Sequence, residues 1–271
     1  MFDTLVARIE KDILSLNAKA KRSVNVGGAG TDALWLSQAA GVCRKSGKLL
    51  VIIADNAADC LRLKDEMQYL APTVKCDYFP DWETLPYDIL SPHSDLVSDR
   101  LQILYKLQSR KENANDLDVL LVAATTASQT MTPPEYLQGR VFFFKKGQDI
   151  NVDELRHRLV NAGYQNMSQV VAPGEFSIRG GLIDIFPMGA QSPFRLDLFD
   201  TEIESIRSFD PDTQRSIEIV DEIRILPGRE YPVDEESLVA FRSRWRETFT
   251  GDPTKSPLYK DLSQGIIGAG I

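Results

Sequence analysis

Gly27, Gly28, Gly30, Thr31 and Asp32 lie in NVGGAGTDALWLSQAA, where a short apolar run passes into a helical pattern. A phosphate loop belongs at such a junction, because the amides at a helix N-terminus face an anion. A working loop reads GxxxxGK followed by Ser or Thr; its lysine holds the β- and γ-phosphates and its hydroxyl ligates magnesium. Here the matching end is Gly30-Thr31-Asp32, so the lysine is missing and a carboxylate stands beside the phosphate position. At ~4 Å, with an effective dielectric of about 20, such a like-charge contact costs roughly 4 kcal/mol. The expectation is a degenerate nucleotide loop that serves as a tight strand-to-helix turn, without ATP hydrolysis.

Other arrangements offer less chemistry. Asp81 and Glu83 could pair as acid and base, yet they read as the edge of a solvated loop. His93 follows Pro92 with no Ser or Cys nucleophile backed by an acid, and His157 sits between Arg156 and Arg158 on a charged helix face. The stretch YFPDWETLPYD has the rings of a base-stacking platform, but its acids favour packing of Trp82 and Tyr87 against the first domain. Cys43, Cys60 and Cys76 form no CxxC, which with only two histidines points to a reducing, cytoplasmic setting and no zinc site. The net charge of −8 argues against tight DNA binding by these residues alone. No apolar run is long enough to span a membrane, and the N-terminal MFDTLVARIEKD lacks a signal-peptide core.

A different kind of site is written in PGEFSIRGGLIDIFPMG and the strand that follows it. In EFSIRGG, Phe176 and Ile178 face one way, Ser177 and Arg179 the other. After Gly180-Gly181 the apolar phase moves to Ile183 and Ile185, so the glycines predict a bulge or sharp bend. PFRLDLFD puts Phe194, Leu196 and Leu198 on the core face and Arg195, Asp197 and Phe199 outward. SIEIVDEIRILP alternates Ile217, Ile219, Ile223 and Ile225 against Glu218, Glu222 and Arg224, which predicts the isoleucines inside. Between 168 and 230 there are twelve acidic and six basic residues. Against that background Arg179, Arg195 and Phe199 are candidates for one patch, since arginine and aromatic residues dominate interface hot spots. The blander alternative pairs the arginines with neighbouring acids and lets Phe199 cover a sheet edge.

These positions need a scaffold, and the chain supplies two patterns. The first half alternates helices (3–20, 32–46, 57–71, 94–110) with strands (22–26, 48–55, 74–79, 118–125), which implies a parallel sheet with helices on its faces. Near 140 this gives way to a strand over 140–147, a helix over 151–164, and several strands up to about 226. That block reads as a small α+β domain of antiparallel strands over one helix. Residues 232–249 are helical again, and GIIGAGI then ends the chain as a truncated piece would.

The runs PGEFSIRGGLIDIFPMG, PFRLDLFDTEIESIRSFDPDTQRS and DWETLPYDILSPH resemble the N-terminal region of the bacterial transcription-repair coupling factors, the Mfd family. The strand block also resembles the matching domain of UvrB, the helicase-like subunit of excision repair. The resemblance covers essentially the whole chain. It implies an α/β fold: a helicase-like parallel-sheet domain with a degenerate P-loop, interrupted by a small α+β inserted domain with antiparallel strands. Residues 1–139 would be its first part, 140–227 the inserted UvrA-binding domain, and 228–271 the helical return segment. The function implied is a non-catalytic recruitment module that binds UvrA and brings nucleotide excision repair to RNA polymerase stalled at DNA damage. Full-length members resemble ATP-dependent DNA translocases. ATP, magnesium, RNA polymerase and double-stranded DNA are therefore expected only for regions beyond this module, which itself needs no cofactor. Carried over residue by residue, the UvrA-binding positions are Arg179 of IRGG and Arg195 and Phe199 of FRLDLFD. The alternative is a UvrB-like ATP-dependent helicase or damage-binding module. Against it stand the missing lysine and the short 77–93 loop, which occupies the place of UvrB's aromatic hairpin.

Overall fold

The computed structural model describes residues 30–84, 90–110 and 116–267, with positions 7, 10, 11 and 23 besides. The helix expected over 3–20 and the strand over 22–26 fall almost wholly outside them, as do Gly27, Gly28 and Tyr87. The protein is mixed α/β, with parallel and antiparallel sheets. The chain divides into two compact units, Met1–Asp81 with Ile103–Met131, and Trp82–Gln102 with Thr132–Ile271.

In the first unit, helix α1 (Thr31–Lys45) leads to strand β1 (Leu50–Ala54), helix α2 (Ala57–Leu70) and strand β2 (Cys76–Phe79). Helix α3 (Ser94–Ser109), which belongs to this unit only from Ile103 onward, then precedes strand β3 (Val119–Ala123) and the short helix α4 (Ala124–Ala127). The three strands are parallel in the order β1-β3-β2, with Leu121 opposite both Ile52 and Tyr78. β3 reads VLLVA with every residue buried, because a central strand covered on both faces has no polar alternation to show. α2 starts on Asn56, whose side chain accepts from the Asp59 amide at 2.9 Å. It then turns Cys60, Leu63 and Met67 onto Ile52, Val119 and Leu121.

The second unit contains the short helix α5 (Pro134–Leu137), strand β4 (Phe142–Lys145) and helix α6 (Val152–Asn161), which buries Leu155 and Leu159. Strands β5 (Gln165–Asn166), β6 (Glu175–Arg179), β7 (Leu182–Ile185), β8 (Phe194–Phe199), β9 (Glu202–Phe209), β10 (Ser216–Val220) and β11 (Glu222–Ile225) follow. β5 to β10 form one six-stranded sheet in sequence order, antiparallel except for the β5–β6 pairing. Phe176, Ile183, Ile185, Leu196, Ile203 and Ile206 fill its inner face, all fully buried.

Two sequence expectations change here. Gly180-Gly181 makes a full chain reversal: Arg179 pairs with Leu182 across a two-residue hairpin turn. Gly180 has a φ of 61°, as the first central residue of a type II′ turn requires. A Cβ on Gly181 would come 3.0 Å from the Leu198 carbonyl oxygen, so both glycines have a reason. The second correction concerns SIEIVDEIRILP. Ile223 and Ile225 are buried, but on β11, which leaves the large sheet to pair with β4. Ile217 and Ile219 belong to β10 at the sheet's edge and are 64% and 71% exposed.

Within the same unit, residues 82–102 are tied to the segment after β11. Arg100 is fully buried and donates to the Glu230 carboxylate from Nε at 2.5 Å and Nη2 at 3.2 Å. Its guanidinium lies 4.4 Å from the centre of the Trp82 ring, and Trp82 Nε1 donates to Glu230 at 3.1 Å. The sequence reading packs Trp82 against the first domain, 1–139 with its return segment 228–271, and both of its partners, Arg100 and Glu230, lie within those bounds. Helix α7 (Glu235–Thr248) starts on Asp234, and its Phe241 and Trp245 pack on Tyr259 of helix α8 (Pro257–Ser263). Among the described residues no helix is long and apolar enough to cross a membrane.

Candidate functional site

The outward face of the six-stranded sheet gathers charged and aromatic side chains. Register sets Ser177, Asp184, Arg195, Arg207 and Ile219 side by side across β6 to β10. The neighbouring row holds Arg179, Leu182, Asp197 and Ser205. Both rows oppose the buried Ile183–Leu196–Ile206 row, because successive residues of a strand point to opposite faces.

Asp184 is the centre of this arrangement. Its side chain is 1% exposed and accepts from Arg195 Nε at 2.7 Å, Arg195 Nη2 at 2.8 Å and Arg179 Nη2 at 2.6 Å. Arg195 thus spans both carboxylate oxygens, the two-point geometry to which a planar guanidinium is suited. The hydrogen bond to Asp184 raises the Arg195 pKa further above its ordinary value. The guanidinium also covers the buried Phe209 ring, 4.8 Å from its centre. Only 18% of the Arg195 side chain reaches solvent, against 52% for Arg179. With Ser168, Gln169, Leu182 and Gln214, the two arginines line an open groove. The arginines face outward, as the alternation predicts, and they also pair with a neighbouring acid.

Phe199 lies on the same face of β8, four residues beyond Arg195, which is about 13 Å along a strand. It is the last residue before the turn into β9, and it is 76% exposed. Burying such a ring in a partner's pocket stabilises a complex by about 1.5–3 kcal/mol.

The face is wider than the three predicted residues. Arg207 pairs with Asp197 at 3.4 Å, and Ser205 Oγ donates to the same carboxylate at 2.7 Å. Asp184, Leu182, Arg207 and Ile219 escape the sequence reading. A signal for Asp184 was present: it alternates with Ile183 and Ile185 as Arg195 does with Leu196, which puts acid and base on one face. Ile219 was hidden by an alternation that runs on while the chain changes sheets.

Of the residues expected to form a degenerate nucleotide loop, Gly30, Thr31 and Asp32 are described. Gly30 precedes α1 in the left-handed region, with φ 80°. Asp32 accepts from Arg62 Nη2 at 2.9 Å and from the Ala33 amide at 2.8 Å. The Arg62 hydrogen bond holds the Asp32 carboxyl below the usual carboxylate range. Where a phosphate loop carries its magnesium-binding hydroxyl, this chain therefore has an ionised acid fixed by an arginine. Among the described residues no group of His, Cys, Asp and Glu could hold a metal ion.

Residues 142–231 match the UvrB interaction domain family. The chain is 40% identical over 244 residues, 89% of its length, to the transcription-repair-coupling factor of Haemophilus influenzae, of which it covers 20%. Identity to the Escherichia coli protein of the same name is 40% over 241 residues, again 20% of that protein. The Bacillus subtilis relative is 35% identical over 196 residues, 72% of this chain and 16% of that protein. The chain spans about a fifth of the length of the first two curated relatives.

Proposed function

From its similarity to the transcription-repair-coupling factors and its match to the UvrB interaction domain over residues 142–231, we propose that this chain is a recruitment module that docks on UvrA. The observation that carries this reading is the outward face of the six-stranded sheet, where two guanidinium groups and a 76% exposed phenyl ring stand on strands within the family match. Arg179 and Arg195 supply directional charged donors and Phe199 an apolar anchor, the combination that dominates protein interfaces. In the intact protein this docking brings nucleotide excision repair to RNA polymerase stalled at damage. ATP-driven movement on double-stranded DNA and polymerase displacement belong to other regions. The chain carrying Arg179→Ala, Arg195→Ala and Phe199→Ala together is expected to lose capture by immobilised UvrA with its circular dichroism unchanged. Capture at the unsubstituted level would end this reading.

The parallel sheet and the Gly30 turn before α1 support a helicase-like ancestry for the first unit, with nucleotide chemistry lost. The second reading, a UvrB-like ATP-dependent module, meets the Asp32–Arg62 pair at the place where phosphate and magnesium would bind. No thermal shift is expected with millimolar ATP and magnesium; a shift at micromolar ATP would favour the second reading.

A further inference from the structure

We infer that Asp184 is the positioning residue of the docking face: it acts on the partner through the two guanidinium groups it holds, not by contact. This rests on the reading of Arg179, Arg195 and Phe199 as the surface that meets UvrA. Three observations carry it. Asp184 is 1% exposed, so its carboxylate is covered before any partner arrives. It is the shared acceptor of both arginines, at 2.6–2.8 Å. It also lies on β7, paired directly with Arg195 on β8 and with Ser177 on β6, so the backbone ladders fix it between the two arginine-bearing strands.

An arginine gripped by a partner gives up rotamer freedom, which weakens binding unless that freedom is already lost. Arg195 is held by both oxygens of Asp184, by the face of Phe209 and by the Gln214 carbonyl at 3.4 Å. Arg179 is held through one nitrogen and is half exposed, so it is the more accessible member of an oriented pair.

Charge alone and positioning predict opposite signs. Removing the negative charge of Asp184 adds one positive charge to the face. If the face worked by charge alone, this would speed capture of an oppositely charged partner. Under positioning it frees both guanidinium groups, and binding weakens.

The test measures UvrA affinity of the 271-residue chain and its variants. Asp184→Asn is expected to weaken binding by about tenfold or more, chiefly through faster dissociation. Arg195→Lys keeps the charge but cannot span both carboxylate oxygens, and it should lose a similar factor. In a chain already carrying Arg179→Ala and Arg195→Ala, Asp184→Asn should add no further loss. Unchanged or tighter binding by Asp184→Asn, or full retention by Arg195→Lys, overturns the inference. If Asp184→Asn does not fold, the part-exposed Arg195→Lys variant still decides. UvrA binding that survives the triple Arg179/Arg195/Phe199 replacement defeats the docking reading itself. Loss in the triple with an unaffected Asp184→Asn defeats only the positioning role.

Discussion

A carboxylate held by donors in the folded chain resists protonation, and acid must overcome that hold. Asp32 is lowered by its hydrogen bond from Arg62, Asp210 by the Thr213 amide, and Asp234 by its hydrogen bonds with Ser237. A folded-state pKa below the unfolded value of about 3.9 gives stability that is complete above that value. It is lost as pH falls through the lower, folded-state value. Urea midpoints should therefore stay level from neutral pH down to about 4.5 and decline below about 4; a midpoint that rises on acidification contradicts these assignments. At this scale the sequence was legible where alternation alone sets direction, as in Arg195 and Phe199 on one face of β8. Asp184 was harder to see. Its importance comes from two partners on two other strands, and no local spacing records a three-strand meeting.

For the strands, alternation was read well within one sheet and poorly across two. The parallel strands of the first unit and the β6–β9 series follow their apolar runs closely. β10 and β11 do not, because Ile217, Ile219, Ile223 and Ile225 keep one rhythm while the chain crosses from the large sheet to the β4 ribbon. The difference is measurable. Ile219→Lys, on the exposed edge, should change unfolding free energy by less than about 0.5 kcal/mol. Ile223→Lys, at 4% exposure, should cost several times more, because it buries an ammonium against Phe144. Equal losses in the two variants would mean that β10 is covered in solution. The glycine hairpin belongs to the same scale: its residue types announced a backbone device, and only the pairing of Arg179 with Leu182 made it a reversal.

Across the whole molecule, an acidic chain of net charge −8 keeps an oriented arginine pair on a single sheet face. Its other notable cation, Arg100, is spent inside. Glu230→Ala takes away one charge partner of a fully buried guanidinium and should destabilise the second unit, by up to about 3–5 kcal/mol in denaturant titrations. Arg100→Met combined with Glu230→Leu should cost less than Glu230→Ala, since an apolar pair leaves no stranded charge. A smaller loss for Glu230→Ala than for the double replacement would show that the pair contributes little. The same contact sets where this protein can be cut. The family match runs from 142 to 231, so it retains Glu230 and discards Trp82 and Arg100, which lie more than a hundred residues earlier. A segment excised at those limits would carry a buried acid without its cation or its aromatic lid. An excised second unit is therefore expected to need 82–102 as well as the stretch after 132.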